Sequence, residues 1–114
     1  MVRIGIVQAG PIIYNTKATL DKLKNLTTEA AEKGAQLVLF PEAFVGGYPK
    51  GLDFGVRLGT RSNEGRDEFR SYFDSAIVYD GVESNIIAEV ARSNNVYLVV
   101  GVVERDGCTL YCSV

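Results

Sequence analysis

The sequence predicts an α/β domain, a sheet covered by helices, and three observations carry the prediction. Four short runs rich in β-branched residues are spread along the chain. Amphipathic segments of helical period fill most of the gaps between them. The resulting order, β-α-β-loop-α-α-β-β, alternates strand and helix at its start. That is the pattern of parallel strands joined by right-handed crossovers.

Each element has its own signal. Residues 2–9 (VRIGIVQA) read as a strand that stops at Gly10-Pro11. Thr16 is the expected N-cap of a helix reaching Lys33, with Leu20, Leu23, Leu26, Ala30 and Ala31 near one face and Gly34 as the left-handed stop. A second strand, residues 35–40 (AQLVLF), ends at Pro41. Residues 43–63 are Gly-rich and have no clear period, and a loop of that length in a compact domain is usually functional or disordered. Residues 64–75 precede Ala76, which joins Phe69, Tyr72 and Phe73 at i, i+3, i+4 and i+7, an amphipathic stripe read as helix packing. Residues 82–93 set Val82, Ile86 and Val90 in one row, with Ile87 and Ala91 beside it, and end at Asn94-Asn95. Residues 96–103 (VYLVVGVV) are apolar almost throughout, as a strand covered on both faces is. Residues 109–114 (TLYCSV) follow across Arg105-Asp106-Gly107, where Asp-Gly predicts a type I′ hairpin turn with positive φ at both central residues. The sequence stops inside this strand pattern, which would leave an apolar, unpaired edge. Residues 1–114 are therefore read as one partial domain, cut at its C-terminal end, without internal repeats or linkers.

Composition bounds the chemistry. A chain of 114 residues holds at most one domain against a prior of about 150. Hydrophobic residues at 46% and charged residues at 23% are ordinary globular values. Twelve Lys+Arg against 14 Asp+Glu give a net charge of -2, with no basic patch for nucleic acid or an anionic membrane. The complete absence of histidine excludes Ser-His-Asp triads, Cys-His dyads and imidazole zinc sites within these residues. Tryptophan is absent as well. Cys108 and Cys112, if both lie on one strand, are separated by about 13 Å between α-carbons, beyond the roughly 4.4–6.8 Å of a disulfide. Two unpaired thiols fit a reducing compartment. With no signal-peptide pattern and no apolar run near the roughly 20 residues of a membrane span, the expectation is a soluble cytoplasmic protein.

Residues 34–51 (GAQLVLFPEAFVGGYPKG) stand out. A buried-looking strand delivers Glu42 just past its C-terminal end, the edge at which open α/β sheets place ligands. Pro41 fixes the exit angle, Gly46 and Gly47 permit close backbone approach or positive φ, and Tyr48 with Pro49 can form a wall. A carboxylate there is expected to be partly desolvated, which raises its pKa toward the range of a general base. Phe44 and Tyr48 flank Glu42 and are the pocket candidates, with core packing the alternative for Phe44. The blander reading of Glu42 is an exposed strand-end carboxylate. Lys50 reads as a solvated loop lysine, and Arg57, Arg61 and Arg66 read as charged surface. Cys108 and Cys112 lack a cationic neighbour in sequence to lower a thiol pKa, and read as buried or half-buried structural cysteines.

In its fixed spacing, this segment resembles the signature of the nitrilase branch of the carbon–nitrogen hydrolase superfamily. Gly34, Leu37, Val38, Phe40, Glu42, Val45, Gly47, Tyr48 and Pro49 all match that pattern in register. Residues 6–9, 53–55, 102–107 and 109–111 extend the likeness, notably to plant-type nitrilases, over essentially the whole chain. The resemblance implies the N-terminal part of an α-β-β-α sandwich, which by itself leaves an apolar sheet face uncovered and favours association. It implies hydrolysis of an organic nitrile to a carboxylic acid and ammonia, with no metal or cofactor, in a homo-oligomer. It also implies that Glu42 is the general base for a cysteine nucleophile, which forms a thioimidate and then an acyl-enzyme, while a lysine stabilises developing charge. That lysine comes in a His-Arg-Lys-type context and the nucleophile in a Cys-Trp-Glu-type context. With neither His nor Trp here, both belong downstream of Val114, and residues 1–114 alone are expected to be inactive. Two other readings remain. One is a non-catalytic fragment that associates with full-length nitrilase subunits. The other is a nucleotide-binding module, weakened because the first turn, residues 9–13, lacks G-x-G-x-x-G.

Overall fold

Three apolar tripeptides build the main sheet. The computed structural model describes all residues 1–114 and places β1 at Ile4–Ile6, β2 at Leu37–Leu39 and β3 at Tyr97–Val99. They pair in parallel in the order β1-β2-β3, with Gly5 opposite Val38 and Val38 opposite Leu98. Around them lie α1 (Thr16–Glu32), α2 (Asn63–Asp74) and α3 (Val82–Asn94). A separate antiparallel hairpin follows, β4 (Val102–Asp106) with β5 (Thr109–Ser113). The mixed α/β class read from the sequence is what the chain adopts.

Side chains alternate across a strand, so the register divides the sheet into two unlike faces. Val38 is fully buried at 0% exposure, in one cluster with Leu20 and Leu23 of α1 and Val90 of α3. On the opposite face, Ile4, Ile6 and Tyr97 are 56%, 71% and 79% exposed, so no element of the chain covers them. The chain is also extended, with principal extents of 56 × 25 × 21 Å. The radius of gyration is 15.6 Å, against about 13 Å for a compact chain of this length.

Several expectations are corrected. The cap of α1 is Asn15, whose side chain accepts from the Ala18 amide at 3.0 Å. Thr16 instead donates its hydroxyl to the Ser75 carbonyl at 2.7 Å, tying α1 to the end of α2. In α3 only Val90 of the expected row is buried, while Val82 and Ile86 are exposed. The strand expected over residues 96–103 is two strands in two sheets, broken at Val100-Gly101. The hairpin turn is Gly107-Cys108 rather than Asp106-Gly107, because Asp106 pairs with Thr109. Only Gly107 has positive φ, at 56°, which fits a type II′ turn and not I′. Cys108 and Cys112 are both free and exposed, not buried. No helix is long and apolar enough to cross a membrane.

Candidate active site

Glu42 sits where the two sheets are stitched together. β2 ends with the Phe40 amide donating to the Val99 carbonyl at 2.9 Å, which carries Pro41 out beside β3. The chain then turns tightly, and Ala43 adopts the left-handed region at φ 47°. Val45 bridges β4 through its amide to the Gly101 carbonyl (3.2 Å), and its carbonyl accepts from the Val103 amide (2.8 Å). Two glycines make this approach feasible. A Cβ at Gly101 would lie 2.5 Å from the Pro41 carbonyl oxygen and 2.6 Å from the Glu42 Cα. A Cβ at Gly46, whose φ is 101°, would lie 2.6 Å from the Cβ of Val103. Gly101 therefore breaks the long apolar run and admits the Glu42 turn at the same point.

Helix α2 braces the turn from the other side. Its N-cap Ser62 accepts from the Gly65 amide at 3.0 Å. Near its C-terminus, the buried Tyr72 donates its hydroxyl to the Gly47 carbonyl at 3.2 Å, and the Ser75 hydroxyl, 2.7 Å from the Tyr72 carbonyl, also lies 3.3 Å from the Gly46 carbonyl. Phe54, from the Gly-rich segment, meets Tyr72 at 5.4 Å and Phe69 edge-on at 5.3 Å. Arg105 of β4 lies 5.1 Å over the Phe73 ring and 3.5 Å from Asp74, joining the hairpin to the same helix.

These elements enclose an open cavity of about 470 Å³, with Glu42, Tyr48, Lys50, Tyr72, Tyr111 and Cys112 on its walls. Glu42 is exposed at the rim, so this chain does not supply the partial desolvation expected for it. Tyr48, also exposed, and Pro49 line the same space. Phe44 is not in the pocket. It is wholly buried, 4.8 Å from Phe40 between ring centroids, so its alternative reading as core holds. Lys50 is exposed but reaches the cavity wall, while Arg57, Arg61 and Arg66 are on the surface as expected.

Three cavity residues lie outside the sequence reading. Tyr72 reads there as helix packing and Tyr111 carries no site reading. Cys112 reads as a structural cysteine, yet its thiol donates to Glu42 Oε1 at 3.3 Å across 70 positions of sequence. The contact with Glu42 pushes the thiol pKa above its ordinary value, assisted by desolvation and by the carboxylate charge. A thiol held protonated in this way is a poor nucleophile. The hairpin register decides where Cys112 falls, and the Asp-Gly signal in the sequence points to the other register. With Gly107-Cys108 as the turn, Val103 faces Cys112. With Asp106-Gly107 as the turn, Val103 would have faced Leu110. No three His, Cys, Asp or Glu side chains converge on a point where a metal ion would bind. What the site offers chemically is a carboxylate acceptor on a braced turn, beside an ammonium and three phenols.

The α/β scaffold thus presents a glutamate past β2, ahead of Gly47-Tyr48-Pro49. The carbon-nitrogen hydrolase family model matches residues 3–114, and the chain belongs to that family. Among individual proteins it is similar to Nitrilase 3 of Arabidopsis thaliana, with 55% identity over 98% of this chain and 32% of the relative. A bifunctional nitrilase/nitrile hydratase of Nicotiana tabacum is 57% identical over 99% of this chain and 32% of its own length. The aliphatic nitrilase of Sinorhizobium fredii is 48% identical over 97% of the chain and 36% of its own length. The chain thus spans about a third of the length of these curated relatives.

Proposed function

We propose that residues 1–114 are the N-terminal portion of a nitrilase, which hydrolyses organic nitriles to carboxylic acid and ammonia, and that Glu42 is its general base. The observation that carries this reading is the placement of Glu42. The carboxylate stands at the rim of a cavity on a turn fixed by Gly101, Gly46 and Tyr72, in a chain similar to nitrilases along its whole length. Water and a small nitrile are the reactants, and the protein works in the cytoplasm as a homo-oligomer. On this reading the lysine and the nucleophilic cysteine belong downstream of Val114. Residues 1–114 alone are accordingly inactive, since Glu42 has no nucleophile to activate.

The test is to read the coding sequence past Val114, express it in full, and assay ammonia release from aromatic and aliphatic nitriles. A Lys in a His-Arg-Lys-like context and then Cys-Trp-Glu are expected. Glu42→Gln should lower kcat by about 10²–10⁴, the usual contribution of a general base. Undiminished turnover in that variant, or nitrile hydrolysis by pure residues 1–114, refutes the reading. A second reading, association with full-length nitrilase subunits, is favoured by the open apolar face of Ile4, Ile6 and Tyr97. Co-purification of the 114-residue chain with an intact nitrilase would support it, and a strictly monomeric chain without binding would remove it.

A further inference from the structure

Glu42 makes a side-chain hydrogen bond with one residue, the thiol of Cys112 on β5. We propose that Cys112 is a positioning residue for Glu42: its thiol proton holds Oε1, so that Oε2 is left facing the cavity as the proton-accepting oxygen. The proposal rests on the reading of Glu42 as the base.

The backbone makes the contact specific. Cys112 is in register with Val103, and Val103 is buried against Gly46, four residues past Glu42. The Val103 amide is bonded to the Val45 carbonyl and the Gly101 carbonyl to the Val45 amide, so β4, with which the strand bearing Cys112 is paired, is tied to the segment just after Glu42. A carboxylate at the exposed end of a turn has free torsions, and a single directed donor restricts them. The donor must be weakly acidic to remain one, and here the carboxylate itself disfavours the thiolate. The other ionisable groups facing the pair are Tyr48 and Lys50 from the loop, Tyr72 from α2 and Tyr111 from β5. No cation is bonded to Sγ, which separates this thiol from an activated nucleophile.

Cys108 supplies an internal control. It is exposed at the hairpin turn, four residues from Cys112, and has no side-chain partner. The first experiment measures iodoacetamide alkylation of Cys108 and Cys112 in the full-length protein against pH, read by peptide mass spectrometry. Cys112 is expected to titrate at higher pH than Cys108, and Glu42→Gln should erase most of the difference. Coincident titration of the two thiols, or indifference of Cys112 to Glu42→Gln, overturns the contact. The second experiment uses the full-length enzyme. Cys112→Ala should lower kcat roughly three- to tenfold, the weight of one hydrogen bond, and leave KM nearly unchanged. Cys112→Ser, which keeps a donor, should restore most of the loss. An unchanged kcat in Cys112→Ala, or no rescue by Cys112→Ser, overturns the positioning role. A coupled thiol together with full activity in Glu42→Gln would instead refute Glu42 as base while leaving the contact intact.

Discussion

Two hydrophobic clusters divide the molecule, and they are built on different principles. The larger has ten buried residues, among them Leu20, Leu23, Val38, Phe44 and Val90, drawn from α1, β2, α3 and the loop after β2. The smaller has four: Ala43, Tyr72, Ala76 and Val103. Ala43 and Phe44 are adjacent in the chain yet point into different clusters, and Glu42 precedes them. The larger cluster is held by buried volume. The smaller one is held by close backbone approach at Gly46 and Gly101 and by hydrogen bonds from Tyr72 and Ser75. One therefore determines whether the chain folds, and the other where the carboxylate stands.

That division is broken most forcefully from the larger cluster. Leu23 is 0% exposed at the centre of the face of α1 that meets the sheet. Leu23→Ala should cost about 2–5 kcal/mol through lost transfer energy and a residual cavity. Urea unfolding followed by circular dichroism reads it as a fall in midpoint at unchanged slope. A loss no greater than that of a substitution in the smaller cluster would show that the larger one does not dominate stability.

Gly101→Ala attacks the junction. The added Cβ meets the Pro41 carbonyl oxygen, the Glu42 Cα and the Ala43 amide nitrogen at 2.5–2.7 Å, all backbone atoms that cannot rotate aside. Overpacking of this kind costs about 1–3 kcal/mol. The larger cluster should survive, so the variant is expected to keep its helices while Glu42 shifts away from Cys112. Alkylation reads this directly, since the two thiols should then titrate alike. A folded variant in which Cys112 still titrates above Cys108 would mean that the turn tolerates a side chain at Gly101.

The same division explains what the sequence made legible. The larger cluster follows from period: Leu20 and Leu23 recur on a helical face, Val38 sits mid-strand, and Gly34 stops α1. Glu42 is legible because strand, proline, glutamate and glycines are contiguous. The contacts of the smaller cluster were hidden because they join residues far apart in sequence. Tyr72 reaches Gly47 across 25 positions and Cys112 reaches Glu42 across 70. Neither separation has a local period to announce it. The break at Gly101 was hidden for a related reason, since apolarity on both sides of it is uniform and only the approach of the Glu42 turn distinguishes the glycine. Phe44 reads as a pocket candidate only by its proximity to Glu42, which does not report that Ala43 turns the chain through positive φ.

The smallest effect is also the most diagnostic of the smaller cluster. Tyr72→Phe removes one hydroxyl and leaves the Gly47 carbonyl without that donor, so it should cost about 0.5–1.5 kcal/mol near neutral pH. Burial, with smaller contributions from Cys112 and Tyr14, raises the Tyr72 pKa above the ordinary tyrosine value. The raised pKa fixes the sign of the pH dependence. Stability from the protonated phenol is fully present below the unfolded-state value of about 10 and is lost as the pH climbs through the higher folded-state value. Wild type should therefore lose stability in that alkaline window by an amount the phenylalanine variant escapes. The gap between the two proteins narrows there, while the other tyrosines titrate equally in both. Unfolding midpoints measured at about pH 7 and again above about pH 10 test this. A gap that stays constant across the window would mean that the Tyr72 hydroxyl is as well solvated in the folded chain as in the unfolded one. The brace on the Gly46-Gly47 turn would then rest on Ser75 and backbone contact alone.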